Sequence, residues 1–302
     1  MKALHNQKLL GFLVPNFLII SIIGINRFVL QAGSGGVLVF SEFIILPILM
    51  GILASWFWRD LKLSSKKLIW YSILNGFFAI VLSFLFLGEG TICLIIVSPL
   101  IFAFVVTGAF IGKVMFKKNR QTLNMSFVSL LLAVFIVDSI SDHHYENMVS
   151  DEIVIKASPE KIWKNVVAFD KINKPNNYWL FKAGMPSPMQ TTVTGYKNGA
   201  GRKCIFSNGY TFDEKIVTYE ESKNLTFDII NQPKDPEIMG HIDIDRGQFL
   251  LQDNGDGTTT LVGNSWYKLQ VFPTWYYDLW AESITRNVHL RVMEHIKNLS
   301  EN

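Results

Sequence analysis

Hydrophobic and polar positions fall into two regimes along the chain. From Leu9 to Ile140, Leu, Ile, Val and Phe dominate and charges are sparse; from Asp142 onward the sequence is as polar as an ordinary globular domain. A bilayer core of about 30 Å takes roughly 20 apolar helical residues to cross. Five segments come near that length: 9–30, interrupted by Pro15, Asn16 and Arg27; 37–58, carrying Glu42 and Pro47; 68–87 and 91–111, split by Gly88-Glu89-Gly90; and a shorter 123–140, with Asp138 near its end. Five such runs in succession predict a transmembrane helical bundle over residues 1–141 rather than the buried helices of a soluble protein. Lys2 and Lys8 ahead of the first run also fit the start of a signal peptide, but no small-x-small cleavage site follows and Arg27 suits that reading badly.

Beyond residue 145 the period changes. Residues 152–156 alternate as a strand does. Ser158 as N-cap and Pro159 at the first helical position then start a helix. An irregular stretch, 169–188, is rich in Asn, Pro and aromatics. Strands are expected at 201–206, 210–219, 225–230, 247–253 and 258–269, with turns at Asn208-Gly209, 221–224 and 254–257. A long helix closes the chain over about 274–299, with Ile284, Val288, Val292, Ile296 and Leu299 as its apolar stripe. Consecutive hairpins build an antiparallel sheet with one wet face, and the last helix must cover the other. The expected architecture is therefore a membrane bundle of about five spans followed by an α+β domain over 148–300. In that domain a curved antiparallel sheet leaves a ligand space beneath a long C-terminal helix.

Composition sharpens this picture only at a few points. Mean hydropathy is mildly positive, and a net charge of +3 is too small to argue for a nucleic-acid partner. Positive charge alternates between loops instead. Lys2 and Lys8 flank the first span, Arg59, Lys62, Lys66 and Lys67 follow the second, and Lys113, Lys117, Lys118 and Arg120 follow the fourth. By the positive-inside rule the N-terminus is cytoplasmic, and an odd span count places the C-terminal domain outside the cell membrane; losing one span reverses this. Arg27 and Glu42 fall at similar depth near the outer surface and are expected to pair, either locking the first hairpin or marking an ion pathway. Trp56, Trp58, Trp70 and Tyr71 around the first basic loop suit an interfacial belt. Cys93 and Cys204 imply no disulfide framework.

Several stretches of the second half resemble a known family. The opening Ile153-Val154-Ile155-Lys156-Ala157-Ser158-Pro159-Glu160-Lys161-Ile162-Trp163 is similar to the first strand and helix of the SRPBCC, or START/Bet v 1-like, superfamily. Gly199-Ala200-Gly201-Arg202-Lys203, Glu214-Lys215-Ile216, Leu225-Thr226-Phe227, Gly257-Thr258-Thr259-Thr260-Leu261 and the ending from His289 to Lys297 resemble its polyketide cyclase/dehydrase branch. The likeness covers about 148–299 and leaves out the hydrophobic half. It implies a helix-grip fold with a hydrophobic cavity, in a superfamily that spans lipid carriers and cyclases, so it points to binding more than to any one reaction.

Candidate residues gather around that cavity. A three-residue loop at Asn208-Gly209 sets Arg202 opposite Glu214, and a two-residue loop sets Lys203 there instead. In the first register Arg202, Cys204, Phe206, Tyr210, Phe212, Glu214 and Ile216 share one face. Glu214 with its cation is thus the candidate for orienting a ligand or for acid–base catalysis, or else a structural pair. The remaining wall is expected from Val288 and from Trp163, Tyr178, Trp179, Trp266 and Trp280, aromatics whose default role is core; residues 275–280 could alternatively meet the membrane surface. Asp142, His143 and His144 are a weak metal candidate on a short linker. His289 and His295 lie six apart on the last helix, on different faces, and do not form a pair. His241, Asp243 and Asp245 alternate as solvent-facing positions do. Residues 253–257 read as a hairpin turn better than a calcium loop. With no nucleophile elbow, phosphate loop, dinucleotide fingerprint or zinc spacing, neither cofactor nor metal is expected. Three functions compete: a membrane-anchored domain binding a hydrophobic or lipid-like small molecule between sheet and C-terminal helix, a cyclase- or hydrolase-like enzyme using Glu214 with Arg202 or Lys203, and a non-catalytic protein-interaction module.

Overall fold

The structure, a computed structural model, describes residues 2–25, 40–118, 125–141, 144–175, 177–233 and 241–302. The chain divides into two compact units, residues 1–143 with 270–273 and residues 144–269 with 274–302.

The first unit is helical: α1 (Lys2–Ile25), α2 (Phe40–Phe43), α3 (Ile45–Trp58), α4 (Ser65–Leu87), α5 (Thr91–Lys118) and α6 (Met125–Ile140). Ser64 caps α4 by accepting a bond from the Lys67 amide. Gly88, at φ 70°, ends it in the left-handed conformation that lets the chain turn back into α5. Among the described residues four helices are long and apolar enough to cross a membrane: Asn6–Ile25, Ser41–Leu61, Ser65–Leu87 and Thr91–Phe116. The fifth expected span is shorter. Its helix, α6, has 16 residues, which at 1.5 Å per residue is about 24 Å, less than a bilayer core.

Small residues hold α3 against α5. A Cβ added to Gly108 would overlap the Ile48 backbone, and one added to Gly51 would overlap the Val105 carbonyl. The Ser55 hydroxyl donates to the Ala109 carbonyl at 2.7 Å in the same seam. Such close backbone approach is how apolar helices associate where hydrophobic burial offers little. Polarity is inverted relative to a water-soluble bundle. Asn16 and Asn75 are buried and hydrogen-bonded to each other, whereas Phe17 and Phe86 are 77% and 72% exposed.

Arg27 lies outside the described residues, so its expected pairing with Glu42 is not described; Glu42 itself is buried in α2. The aromatic belt needs a correction. Trp70 does point outward, but Trp58 is buried, its ring against Phe12 and Tyr71 and its indole N–H donating to the Lys8 carbonyl at 3.1 Å. Gly11 leaves room for that ring, so Trp58 is a packing residue.

The second unit runs β1 (Glu146–Ile155), α7 (Pro159–Val167), α8 (Trp179–Lys182), β2 (Pro188–Val193), β3 (Gly201–Phe206), β4 (Thr211–Glu220), β5 (Asn224–Asn231), β6 (Ile242–Asp253), β7 (Thr259–Leu269) and α9 (Thr274–Glu301). The seven strands form one sheet in the order β1-β7-β6-β5-β4-β3-β2, antiparallel at every pairing. Curled around the single long helix, this is a helix-grip fold. β2 was not expected from the pattern: it opens on Pro188, which an edge strand tolerates at its first residue, and it follows directly on the Asn- and Pro-rich stretch. β1 and β6 begin six and five residues earlier than their alternation suggests.

The stripe of α9 is also shifted. Its buried positions are Tyr277, Ala281, Thr285, His289, Val292, Met293, Ile296 and Ser300, while Leu299 is exposed and Ile284 and Val288 are only half-buried. Thr285 and His289 stand on the buried line with Tyr277 and Ala281, and a stripe drawn from aliphatic residues alone therefore leans about a quarter-turn off.

Candidate functional site

The inner face of the sheet is set by strand alternation, and its two ends differ. At one end Ile216, Leu225, Phe227, Phe249, Leu251 and Leu261 are buried in a core completed by Trp163 and Val166 of α7 and by Val292, Met293 and Ile296 of α9. At the other end Cys204, Phe206, Phe212, Ile229 and Ile244 face the same way but stay half-buried. Tyr267, directly opposite Ile244 in the register, is bonded to Asp278 near the start of α9. The half-buried wall therefore lies toward the N-terminal half of the helix.

The β3–β4 hairpin settles the register. Phe206 and Tyr210 close a three-residue loop, with Gly209 at φ 86°. Arg202 stands opposite Glu214, and Lys203 opposite Asp213. Arg202 and Glu214, 3% and 4% exposed, form a direct ion pair. The Arg202 Nε also donates to the Val167 carbonyl at 3.1 Å, and its guanidinium lies 4.3 Å from the centre of the Phe227 ring. Burial pushes the Glu214 carboxyl above the usual carboxylate range, with Arg202 pulling it back. Desolvation of the sulfur, reinforced by the Glu214 charge and opposed by Arg202, raises the Cys204 thiol to about 12. Lys203 instead meets Asp213 at 3.1 Å on the solvent side. The pair is held among core groups, one step along the inner face from Cys204 and Phe212.

The other expected wall residues scatter. The Phe206 and Phe212 rings pack 5.0 Å apart on the half-buried wall, and Val288 is half-buried on α9. Trp163 is core, its indole N–H donating to the Tyr219 hydroxyl at 3.1 Å. Trp266 alternates with the inward Ser265 and Tyr267 and so points to the outer face of the sheet, away from α9. Tyr178 bonds Ser283 at 3.1 Å and Trp179 meets Trp280 edge to face. Ser283 and Trp280 lie on the flank of α9 turned away from β1 and β7, so these three aromatics clamp the helix instead of lining the space beneath it. Trp275 and Leu279 are exposed at the start of α9. Asp142 and His143 lie outside the described residues, and His144 reaches Glu146 at 3.4 Å. At the 253–257 turn, side chains of Asp253 and Asp256 accept backbone bonds from Gly255 and Thr258, as a hairpin turn requires.

A polar seam between α9 and the paired strands β1 and β7 escaped the sequence reading. Asp278 accepts bonds from the hydroxyls of Tyr267 at 2.6 Å and Tyr145 at 2.7 Å, and from the Asn147 amide. Burial and that carboxylate raise the Tyr145 hydroxyl to about 12. Further along, Asp151 meets Arg286 and His289, each at 2.9 Å, and His289 Nε2 lies 2.7 Å from the Ser265 hydroxyl. Desolvation lowers the His289 pKa despite Asp151. The signal was present: Asn147, Asp151, Ser265 and Tyr267 all sit at inward strand positions, and Asp278, Thr285 and His289 recur at spacings of seven and four.

Together these features define the class: a helix-grip domain with a partly open apolar wall, following a unit of apolar helices. Solved structures similar to the chain include truncated norcoclaurine synthase from Thalictrum flavum, at 12% identity, covering 53% of this chain and 96% of that one with a TM-score of 0.37. Protein XoxI from Bacillus cereus is 15% identical, over 51% of this chain and 94% of that one, with a TM-score of 0.36. Protein CV1439 from Chromobacterium violaceum is 12% identical, over 52% and 98%, with a TM-score of 0.34. No protein-family model and no curated protein matches the chain.

Proposed function

We propose that the chain is a membrane-anchored binding protein whose helix-grip unit holds an amphipathic, lipid-like molecule between the sheet and the N-terminal half of α9. The observation that carries this reading is the half-buried apolar wall of Cys204, Phe206, Phe212, Ile229 and Ile244, continuous with a fully buried core. An apolar wall left partly uncovered on the inside of a sheet is stabilised by an apolar occupant, and a few polar groups at its margin orient the occupant's head. Photo-crosslinking the full chain with a diazirine fatty acid tests the reading. Crosslinks should map to β3, β4 and the first half of α9, and Cys204→Trp should suppress them. Crosslinks confined to residues 2–141 would refute it.

The anchor is supported by four helices of spanning length, by their outward-facing phenylalanines and by their inward-facing asparagines. With α6 as a fifth crossing, the helix-grip unit lies outside a cytoplasmic N-terminus; with four crossings it shares the N-terminal side. Protease added to intact cells should remove the C-terminal unit in the first case, and protection would establish the second.

A further inference from the structure

Ser265, His289 and Asp151 are not among the wall residues of the binding reading, yet they form a continuous relay on the β1/β7 side of α9. The Ser265 hydroxyl oxygen lies 2.7 Å from His289 Nε2, and His289 Nδ1 lies 2.9 Å from Asp151 Oδ2. The second Asp151 oxygen is held by Arg286 at 2.9 Å. Local structure fixes each member. Ser265 pairs with Val149, and Asp151 with Gly263, so the serine and the aspartate sit diagonally on the inner face of adjacent strands. Gly263 lets α9 descend there, since a Cβ would come within 2.9 Å of the Met293 sulfur. His289, one turn before Met293, is thereby lowered between them.

Burial divides the roles. His289 and Asp151 side chains are 7% and 9% exposed, whereas Ser265 remains half-buried on the inner face. Desolvation keeps the imidazole neutral at neutral pH, so Nδ1–H donates to Asp151 while Nε2 is free to accept the serine proton. The Asp278 cluster on the same helix shows the contrast. There the tyrosine hydroxyls end on the carboxylate itself, with no base between acid and hydroxyl. Hydroxyl, base and orienting carboxylate in series is the arrangement that activates a serine.

We propose that Ser265 is a nucleophile for acyl transfer, with His289 as its base and Asp151 holding the imidazole. Its substrate class is a carboxylic ester whose acyl chain lies along the half-buried wall, an assignment that rests on the binding reading above. Ser265 Oγ bonds to the acyl carbon as its proton passes to His289 Nε2. The carbon–oxygen bond to the alcohol then breaks, and the alcohol leaves with that proton. Water, giving a proton to His289, cleaves the serine ester, frees the acid and returns the proton to Ser265.

An alkyl fluorophosphonate tests this on the full chain in detergent, because it bonds a nucleophilic serine through phosphorus with loss of fluoride. One adduct is expected, on Ser265. It should vanish in Ser265→Ala and form roughly a hundredfold more slowly in His289→Gln and in Asp151→Asn. Retained diazirine fatty-acid crosslinking of β3 and β4 shows that each variant keeps its fold and its wall. No adduct on Ser265 with crosslinking retained would overturn acyl transfer alone; loss of both in the wild-type chain would overturn the binding reading with it. An adduct forming equally fast in both His289→Gln and Asp151→Asn would also overturn the relay.

Discussion

Replacing Glu214 by leucine would leave the Arg202 guanidinium 3% exposed with no counter-charge, its remaining contacts being the Val167 carbonyl and the Phe227 ring. Breaking a buried pair by removing one partner costs about 3–5 kcal/mol, because the orphaned charge stays desolvated. For a domain of this size each kcal/mol moves the melting temperature by about 2–4 °C. Glu214→Leu should therefore lower melting of the helix-grip unit by about 6–20 °C. Adding Arg202→Met should recover most of that loss, since an apolar pair of similar volume is often tolerated in place of a buried ion pair; the deficit that remains, about 1 kcal/mol, is the Val167 carbonyl losing its donor. Hydrogen–deuterium exchange of β3 and β4 peptides in the full chain reads the local opening free energy directly. A Glu214→Leu variant within about 1 kcal/mol of wild type would show that the carboxylate is not the counter-ion of a dry site. A double variant no more stable than the single one would show that the two groups are uncoupled.

Three further outcomes follow from other contacts. Gly108→Val should push α3 and α5 apart, at a cost of about 1–3 kcal/mol, because its side chain would overlap the Ile48 carbonyl; an unchanged melting temperature in detergent would contradict the close approach. With its thiol raised to about 12, Cys204 in a Cys93→Ser background should react with maleimide at pH 8 roughly a thousandfold more slowly in the folded chain than in denaturant; equal rates would show that the thiol is not desolvated. His289 is packed against Asp151 of β1 and Ser265 of β7, with Arg286 beside it on α9. Its folded pKa is depressed, so the neutral ring stabilises the fold above an unfolded value of about 6.5 and that contribution is lost as pH falls below it. His289→Gln should flatten the acid limb of the stability curve, and an unaltered limb would assign it to other groups.

The hydrophobic half and the antiparallel meander from β3 to β7 are legible in the sequence because both follow from period alone. Runs near 20 apolar residues and hairpins with Asn208-Gly209 turns require no knowledge of distant contacts. Register at the β3–β4 hairpin was legible as one of two alternatives, and only the closure of the Phe206–Tyr210 loop chose between them. What stayed hidden depends on which face a residue takes after tertiary packing. Trp266 looks like a cavity aromatic until Ser265 and Tyr267 are found to hold the inward positions of β7. On its own helix His289 has only His295 to compare with, on a different face; its partners lie on β1 and β7, over 20 residues away at the nearest.

The same shift along α9 would let the proposed binding and the proposed acyl transfer share one helix. Toward its C-terminus the sheet-facing residues are Val292, Met293 and Ile296, and the helix lies directly on the apolar core. Toward its N-terminus Asp278, Thr285 and His289 join Tyr277 and Ala281, and hydrogen bonds tie the helix to Tyr145, Tyr267, Asp151 and Ser265. Dispersion and apolar burial reward the closest approach available, whereas a hydrogen-bonded seam fixes a distance and an angle. The polar half of α9 is consequently held along β1 and β7 without being drawn down onto Phe206, Phe212 and Ile229, and the wall beneath it stays half-buried. Replacing that seam by apolar residues, as in Asp278→Leu with Tyr267→Phe, should let the helix settle onto the wall. Fatty-acid crosslinking to β3 and β4 would then be lost while the fold remains, and crosslinking at the wild-type level would show that the seam does not keep the space open.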